Sequence, residues 1–191
     1  MTLAKITSSL VSIQWLNENI NADNLVILDA SMKPVTPVGR DTSQDAPVCI
    51  KGALRFDYDK DIRDKNTDLP HMMPSAEFFT EEMQKLGINK DSAIVVYDDV
   101  GVYASPRAWW MFRAMGHTQV AVLDGGLPAW KKAGFPCGTQ AQASAKTRGD
   151  FVSHPQEWAF VDSKQVLEIL HDPKFAVIDA RSEGRFHGTE P

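Results

Sequence analysis

The chain has 191 residues, a formal net charge of −5 at pH 7, 43% hydrophobic and 24% charged residues, the balance of a globular protein and not of a disordered one. Its basic residues are scattered rather than clustered, which argues against a nucleic-acid or anionic-membrane partner. The apolar runs are strand-sized, and Met1 to Leu16 holds neither a continuous apolar stretch nor an arginine, so no membrane span or targeting peptide is expected and the cytoplasm is the default location.

In chain order, Val11 to Ile20 reads as an amphipathic helix, residues 21 to 24 as a polar turn, and Leu25-Val-Ile-Leu-Asp-Ala30 as a buried strand. A short strand, 53 to 56, follows Gly52. Ser75 after Pro74, apolar residues at 78, 79, 83 and 86, and Gly87 predict a capped helix over 75 to 86. Ala93 to Tyr97 is a continuous apolar strand. Pro106 to Met115 reads as a helix with Ser105 as N-cap and Pro106 at its first position. A further strand, 119 to 123, and a short helix, 127 to 132, complete an alternation of strands and helices. That alternation predicts an α/β fold, a parallel sheet with helices on both faces, in which ligands sit at the carboxyl ends of the strands.

The same pattern begins again. Phe175-Ala-Val-Ile-Asp-Ala180 repeats Leu25 to Ala30 at an offset of 150 residues, and Val161 to Leu170 repeats the helix of Val11 to Ile20 in the same register. The expected organisation is one complete domain over 1–138, a linker rich in Gln, Ala, Ser and Lys over 139–150, and over 151–191 the opening of a second copy that is truncated. A lone helix and strand cannot bury a sheet, so 151–191 is not expected to form an independent domain.

Three loops carry possible chemistry. Asp98 to Ala104 feeds a helix N-terminus, a place suited to anions, but aspartates occupy it; they are expected to satisfy the loop's own N–H groups. Leu123-Asp-Gly-Gly-Leu-Pro-Ala-Trp130 holds two glycines that permit a turn of positive φ, without the Lys or Ser/Thr of a phosphate loop. The third, Leu69-Pro-His-Met-Met-Pro74, brackets His71 with prolines after the carboxylates 57, 59, 61, 64 and 68. An oriented imidazole there would suit proton transfer, and a merely solvated one is the competing reading. Cys49 and Cys137 have no CxxC spacing and read as free thiols. The histidines never pair at metal-ligand spacing, and neither metal nor cofactor is expected.

The residues 69 to 74, Ser105-Pro-Arg-Ala-Trp-Trp-Met-Phe-Arg113, 123 to 130, and Asp179-Ala-Arg-Ser-Glu-Gly-Arg-Phe-His-Gly-Thr-Glu-Pro191 together resemble the tandem-domain rhodanese family, most of all its 3-mercaptopyruvate and thiosulfate sulfurtransferases. The resemblance implies a rhodanese-like fold with two facing domains, of which the second carries a nucleophilic cysteine. That cysteine takes sulfane sulfur as a persulfide and passes it to cyanide or to a thiol such as thioredoxin. By the repeat, Asp98 stands where the second domain would hold the cysteine. The resemblance further implies supporting catalytic roles for His71 and Asp59, with Asp57 and Asp61 as neighbouring alternatives, and substrate-binding roles for Arg185 and Tyr103. The 191 residues alone are then expected to be inactive. A catalytically silent rhodanese-type binding or regulatory module is the alternative. A phosphatase of related fold is disfavoured because no Cys is followed closely by Arg.

Overall fold

Residues 2–32, 48–139 and 147–190 are described by the computed structural model; they fall into a first unit, Met1–Gln156, and a second, Glu157–Pro191. In the first unit the elements run β1 (Leu10–Val11), α1 (Ile13–Asn19), β2 (Leu25–Asp29), β3 (Cys49–Ile50), β4 (Leu54–Arg55), α2 (Ala76–Lys85), β5 (Ala93–Tyr97), α3 (Ser105–Ala114), β6 (Val120–Leu123), α4 (Gly126–Lys132) and β7 (Cys137–Gly138). Five strands form one parallel sheet in the order β1-β6-β5-β2-β4, while β3 and β7 pair as a separate antiparallel ribbon.

The inner strands β5 and β6 carry no charged residue and are buried throughout, because both faces of the sheet are covered. Side chains alternate across it. Leu28, Ile94, Val96, Val120 and Val122 face a core with Phe79 and Met83 of α2 and Ala108, Met111 and Phe112 of α3. Ile27, Ala93, Val95, Ala121 and Leu123 face the other, with Leu16 of α1 and Leu127 and Trp130 of α4. The six strand residues Ile27, Leu28, Val95, Val96, Val122 and Leu123 are all buried, as their patterning predicts.

Three local readings are corrected. Val11 belongs not to the helix but to β1, where it pairs with Leu123; two residues are too few to carry a strand signal. Ser105 is not an N-cap: α3 starts at Ser105 itself, and Ala104 precedes it without a side-chain cap. The first unit also runs past residue 150. Gly149 N–H donates to the Gln84 carbonyl and Phe151 N–H to the Ile88 carbonyl, and the Phe151 ring is buried edge-on against Phe79 and Phe112. Most of the expected linker, 140–146, lies outside the described residues.

The second unit holds a 3-10 turn (Glu157–Ala159), α5 (Ser163–Ile169) and α6 (Glu183–Phe186). The strand expected over 175–180 is not formed; the segment has no strand beside it among the described residues, and Ile178 is 84% exposed. No helix among the described residues is long and apolar enough to cross a membrane.

Candidate active site at the carboxyl ends of the strands

From β2 the chain crosses to β4 on one side and from β5 to β6 on the other, so the strand order reverses between β2 and β5, the place where such sheets bind ligands. The loop after β5 wraps around a single carboxylate. Asp98 Oδ1 accepts from the N–H groups of Val100 (3.1 Å) and Gly101 (2.9 Å). Its Oδ2 accepts from the N–H groups of Tyr103 (2.8 Å), Ala104 (2.9 Å) and Ser105 (2.9 Å) and from the Ser105 hydroxyl (2.6 Å). Asp98 is 0% exposed. Burial pushes its carboxyl upward, but the bonds from Ser105, Tyr103 and Gly101 outweigh burial and hold it below the usual carboxylate range. The Ser105 hydroxyl serves this carboxylate, which is why it does not cap the helix. A loop of N–H groups at a helix N-terminus is therefore present, as the sequence suggests, and filled from within.

The turn after β6 closes on this loop. Gly125 and Gly126 have φ of 75° and 52°, and a Cβ at Gly126 would lie 2.5 Å from the Asp98 carbonyl oxygen and press on that of Gly101. The glycines thus serve close approach and a left-handed turn, not a phosphate.

After β4, Asp57 organises its own turn: Oδ1 accepts from the Asp59 and Lys60 N–H groups, and Oδ2 from Arg55. Asp57 is thereby occupied, and Asp59 is the carboxylate that meets the histidine, with His71 Nδ1 3.3 Å from Asp59 Oδ1. Nδ1 is occluded from solvent and, close as Asp59 is, makes no hydrogen bond with it, although the two side chains are 40% and 43% exposed as wholes. The Tyr58 ring packs edge-on against the imidazole at 5.8 Å, and its hydroxyl donates to the Ala104 carbonyl at 3.3 Å, joining the histidine turn to the Asp98 loop. Burial first, tempered by Arg107, pushes the Tyr58 phenol up to about 12, so it stays a neutral donor. His71 has φ 58°, a left-handed conformation costing roughly 1–2 kcal/mol for a residue with a Cβ. Arg107 Nη2 donates to the His71 carbonyl at 2.7 Å. A hydrogen bond from a charged donor, worth about 1.5–3 kcal/mol, is large enough to offset that cost.

Tyr103 shares this region: its N–H is bound to Asp98 and the residue is 47% exposed. Arg185 belongs to the second unit, in α6, where its N–H donates to the Ser182 hydroxyl and its side chain is exposed. The structure therefore brings His71 and Asp59 together beside the Asp98 loop and describes Arg185 within its own unit. Arg181 is paired with Asp179 through Nε at 3.0 and 2.9 Å, one of the ion pairs open to the arginines of that segment. Neither cysteine follows β5. Cys49 is buried in β3 and Cys137 is exposed in β7. Among the described residues no three His, Cys, Asp or Glu side chains are placed to hold a metal ion.

A doubly covered parallel sheet with a helix-capped anion loop after its central strand defines a class of α/β domain, and comparison with known proteins specifies which. The family model of the rhodanese-like domain matches residues 12–133, and the chain belongs to that family. It is 37% identical over 201 residues to the human (Homo sapiens) 3-mercaptopyruvate sulfurtransferase, covering 100% of this chain and 65% of the relative. With the thiosulfate sulfurtransferase of Gallus gallus it shares 38% identity over 189 residues, covering 95% and 64%. The crystal structure of SseA from Escherichia coli, concerned with 3-mercaptopyruvate sulfotransferases, superposes with a TM-score of 0.80 at 34% identity over 94% of this chain and 68% of that one. The chain thus spans about two thirds of the length of the human and chicken relatives.

Proposed function

We propose that this chain is the non-nucleophilic part of a sulfurtransferase that moves sulfane sulfur from 3-mercaptopyruvate or thiosulfate to a thiol or cyanide acceptor. The observation that carries the proposal is the filled loop after β5. A thiolate that attacks sulfur needs N–H groups to stabilise it, and here five N–H groups and a hydroxyl already hold the Asp98 carboxylate. The nucleophilic cysteine then belongs to a second rhodanese domain, and the first supplies His71 and Asp59.

For mercaptopyruvate the chemistry balances as follows. A cysteine thiolate attacks the donor sulfur, an S–S bond forms, and the C–S bond breaks to leave the pyruvate enolate. Imidazolium His71, paired with Asp59, gives the enolate carbon a proton, and the neutral ring then takes the proton of the new persulfide. Arg185 is assigned to the donor carboxylate, which its guanidinium fork suits, and Tyr103 to donor binding. Thiosulfate needs no proton on its leaving sulfite, so His71 matters less with that donor.

The test is release of sulfide or thiocyanate from each donor by the purified 191-residue chain, with Cys49→Ser and Cys137→Ser beside it. The expected result is no turnover. Robust turnover that disappears with either substitution would overturn the assignment of Asp98 to the nucleophile's position. In a form carrying the second domain, His71→Gln should lower kcat with mercaptopyruvate by roughly 10²–10⁴-fold and affect thiosulfate far less.

A further inference from the structure

The His71 backbone carries a contact that proton transfer does not itself require. Among the described residues His71 is the one non-glycine with positive φ, and such conformations persist where their surroundings over-determine them. Two tethers do so here. Asp64 N–H donates to the Met72 carbonyl at 3.0 Å, and Arg107 Nη2 donates to the His71 carbonyl at 2.7 Å. Arg107 is the third residue of α3, two residues beyond Ser105, whose N–H and hydroxyl are both fixed on Asp98. Tyr58 packs edge-on against the His71 imidazole. A residue that leaves the left-handed region swings its Cβ, and with it Nδ1, away from Asp59.

We propose that Arg107 is a positioning residue for the His71–Asp59 pair. By holding the His71 carbonyl it keeps Nδ1 against Asp59 and so decides which ring nitrogen is available to exchange protons. This rests on the reading of His71 as the proton-transfer group. A carboxylate only accepts hydrogen bonds, so its approach to 3.3 Å from Nδ1 favours the neutral tautomer with the proton on Nδ1 and Nε2 unprotonated. Arg107 acts on that choice without touching the ring nitrogens or the substrate.

Long-range proton–nitrogen NMR correlations of His71 in the 191-residue protein, recorded at alkaline pH where the ring is neutral, read the tautomer directly. The wild type is expected to show a majority of the Nδ1–H form, and Asp59→Asn to lose that majority to the Nε2–H form that free imidazole favours. Arg107→Met removes the donor and should lose it as fully as Asp59→Asn, while Arg107→Lys, which keeps one charged donor, should restore part of it. Thermal unfolding of each variant accompanies the spectra, since a purely structural role would lower the melting temperature and leave the tautomer unchanged. A wild type without the Nδ1–H majority defeats the reading of the His71–Asp59 pair. A wild type with it and an Arg107→Met variant that keeps it defeats the role of Arg107 alone. Should Arg107→Met fail to fold, the decision passes to Arg107→Lys, for which an unchanged tautomer and a lowered melting temperature overturn the proposal.

Discussion

The two copies of the repeat share their local hydrogen bonds and differ in whether the strand forms. In the first, the Ser12 side chain accepts from Trp15 N–H and starts α1; 150 residues on, the Asp162 side chain accepts from Gln165 N–H and starts α5. The turns after the helices share two backbone bonds. Ala22 N–H donates to the Asn19 carbonyl and Leu25 N–H to that of Ala22, as Asp172 does to Ile169 and Phe175 to Asp172. Past the strand, Asp29 accepts from Ser31 N–H and Asp179 from Arg181 N–H, both at 2.9 Å. Between these shared features Leu28 is 0% exposed and its counterpart Ile178 is 84% exposed. Caps and turns are satisfied within a few residues and travel with the sequence. A strand is made by the strands on either side of it, and only β2 has them, in β4 and β5.

The comparison is broken most directly at those two positions. Leu28→Ala removes a fully buried side chain and should cost about 2–5 kcal/mol of unfolding free energy; Ile178→Ala should change it by less than about 0.5 kcal/mol. Denaturant titration of both variants decides. Equal losses would mean that the second strand is buried after all.

Asp98→Asn comes next. It sets an amide N–H₂ against a loop of donors and should cost at least ~2 kcal/mol, since buried unmatched donors are expensive. The sign with pH follows from the depressed carboxyl. The stabilisation is complete above the unfolded value of about 3.9 and is lost as pH falls through the lower folded value. Stability profiles should therefore fall more steeply for wild type than for Asp98→Asn in acid below about pH 4, and parallel profiles would count against the carboxylate as the centre of the loop.

Gly126→Ala should cost roughly 1–3 kcal/mol, because its φ of 52° and the Asp98 carbonyl both oppose a Cβ; calorimetry measures it. The smallest effects sharpen the contrast between local and long-range order. Ser12→Ala should lower the stability of the first unit by about 1 kcal/mol. Asp162→Ala should fray α5, seen in amide exchange at Gln165, and leave the main unfolding transition in place.

Much of the fold is legible in the sequence because its signals are local or periodic. Ser75 caps α2 through Phe78 N–H, Gly87 has φ of 70°, and the apolar run 93 to 97 is the central strand. The elements that are not legible depend on partners far along the chain: β1 is defined by β6, and the Cys49–Ile50 ribbon by residues 137–138. Ser105 misleads for a related reason, since its pattern is that of a cap while its hydroxyl is claimed by Asp98, seven residues earlier. At the site, the filling of the loop by Asp98 follows from charge and place. The pairing of Asp59 rather than Asp57 with His71 does not, because it depends on Asp57 being occupied by its own turn and by Arg55. Arg107 stands inside a helix among core residues, with nothing in the spacing to tie it to His71.

The antiparallel ribbon has a consequence for anyone handling the protein. The Tyr97 hydroxyl accepts from Ile50 N–H at 3.1 Å and so clips β3 to the end of the central strand. Cys49, beside Ile50, is 2% exposed, and burial, then the charge of Asp29, raises its thiol pKa. Cys137, one position from Cys49's partner Gly138, is open to solvent. An alkylating reagent thus meets one thiol that is accessible and one that is both shielded and protonated. Cys137 takes the label at the reagent's own pace, and the delay before Cys49 follows is a clock for the release of the ribbon, written into the chain without adding a probe.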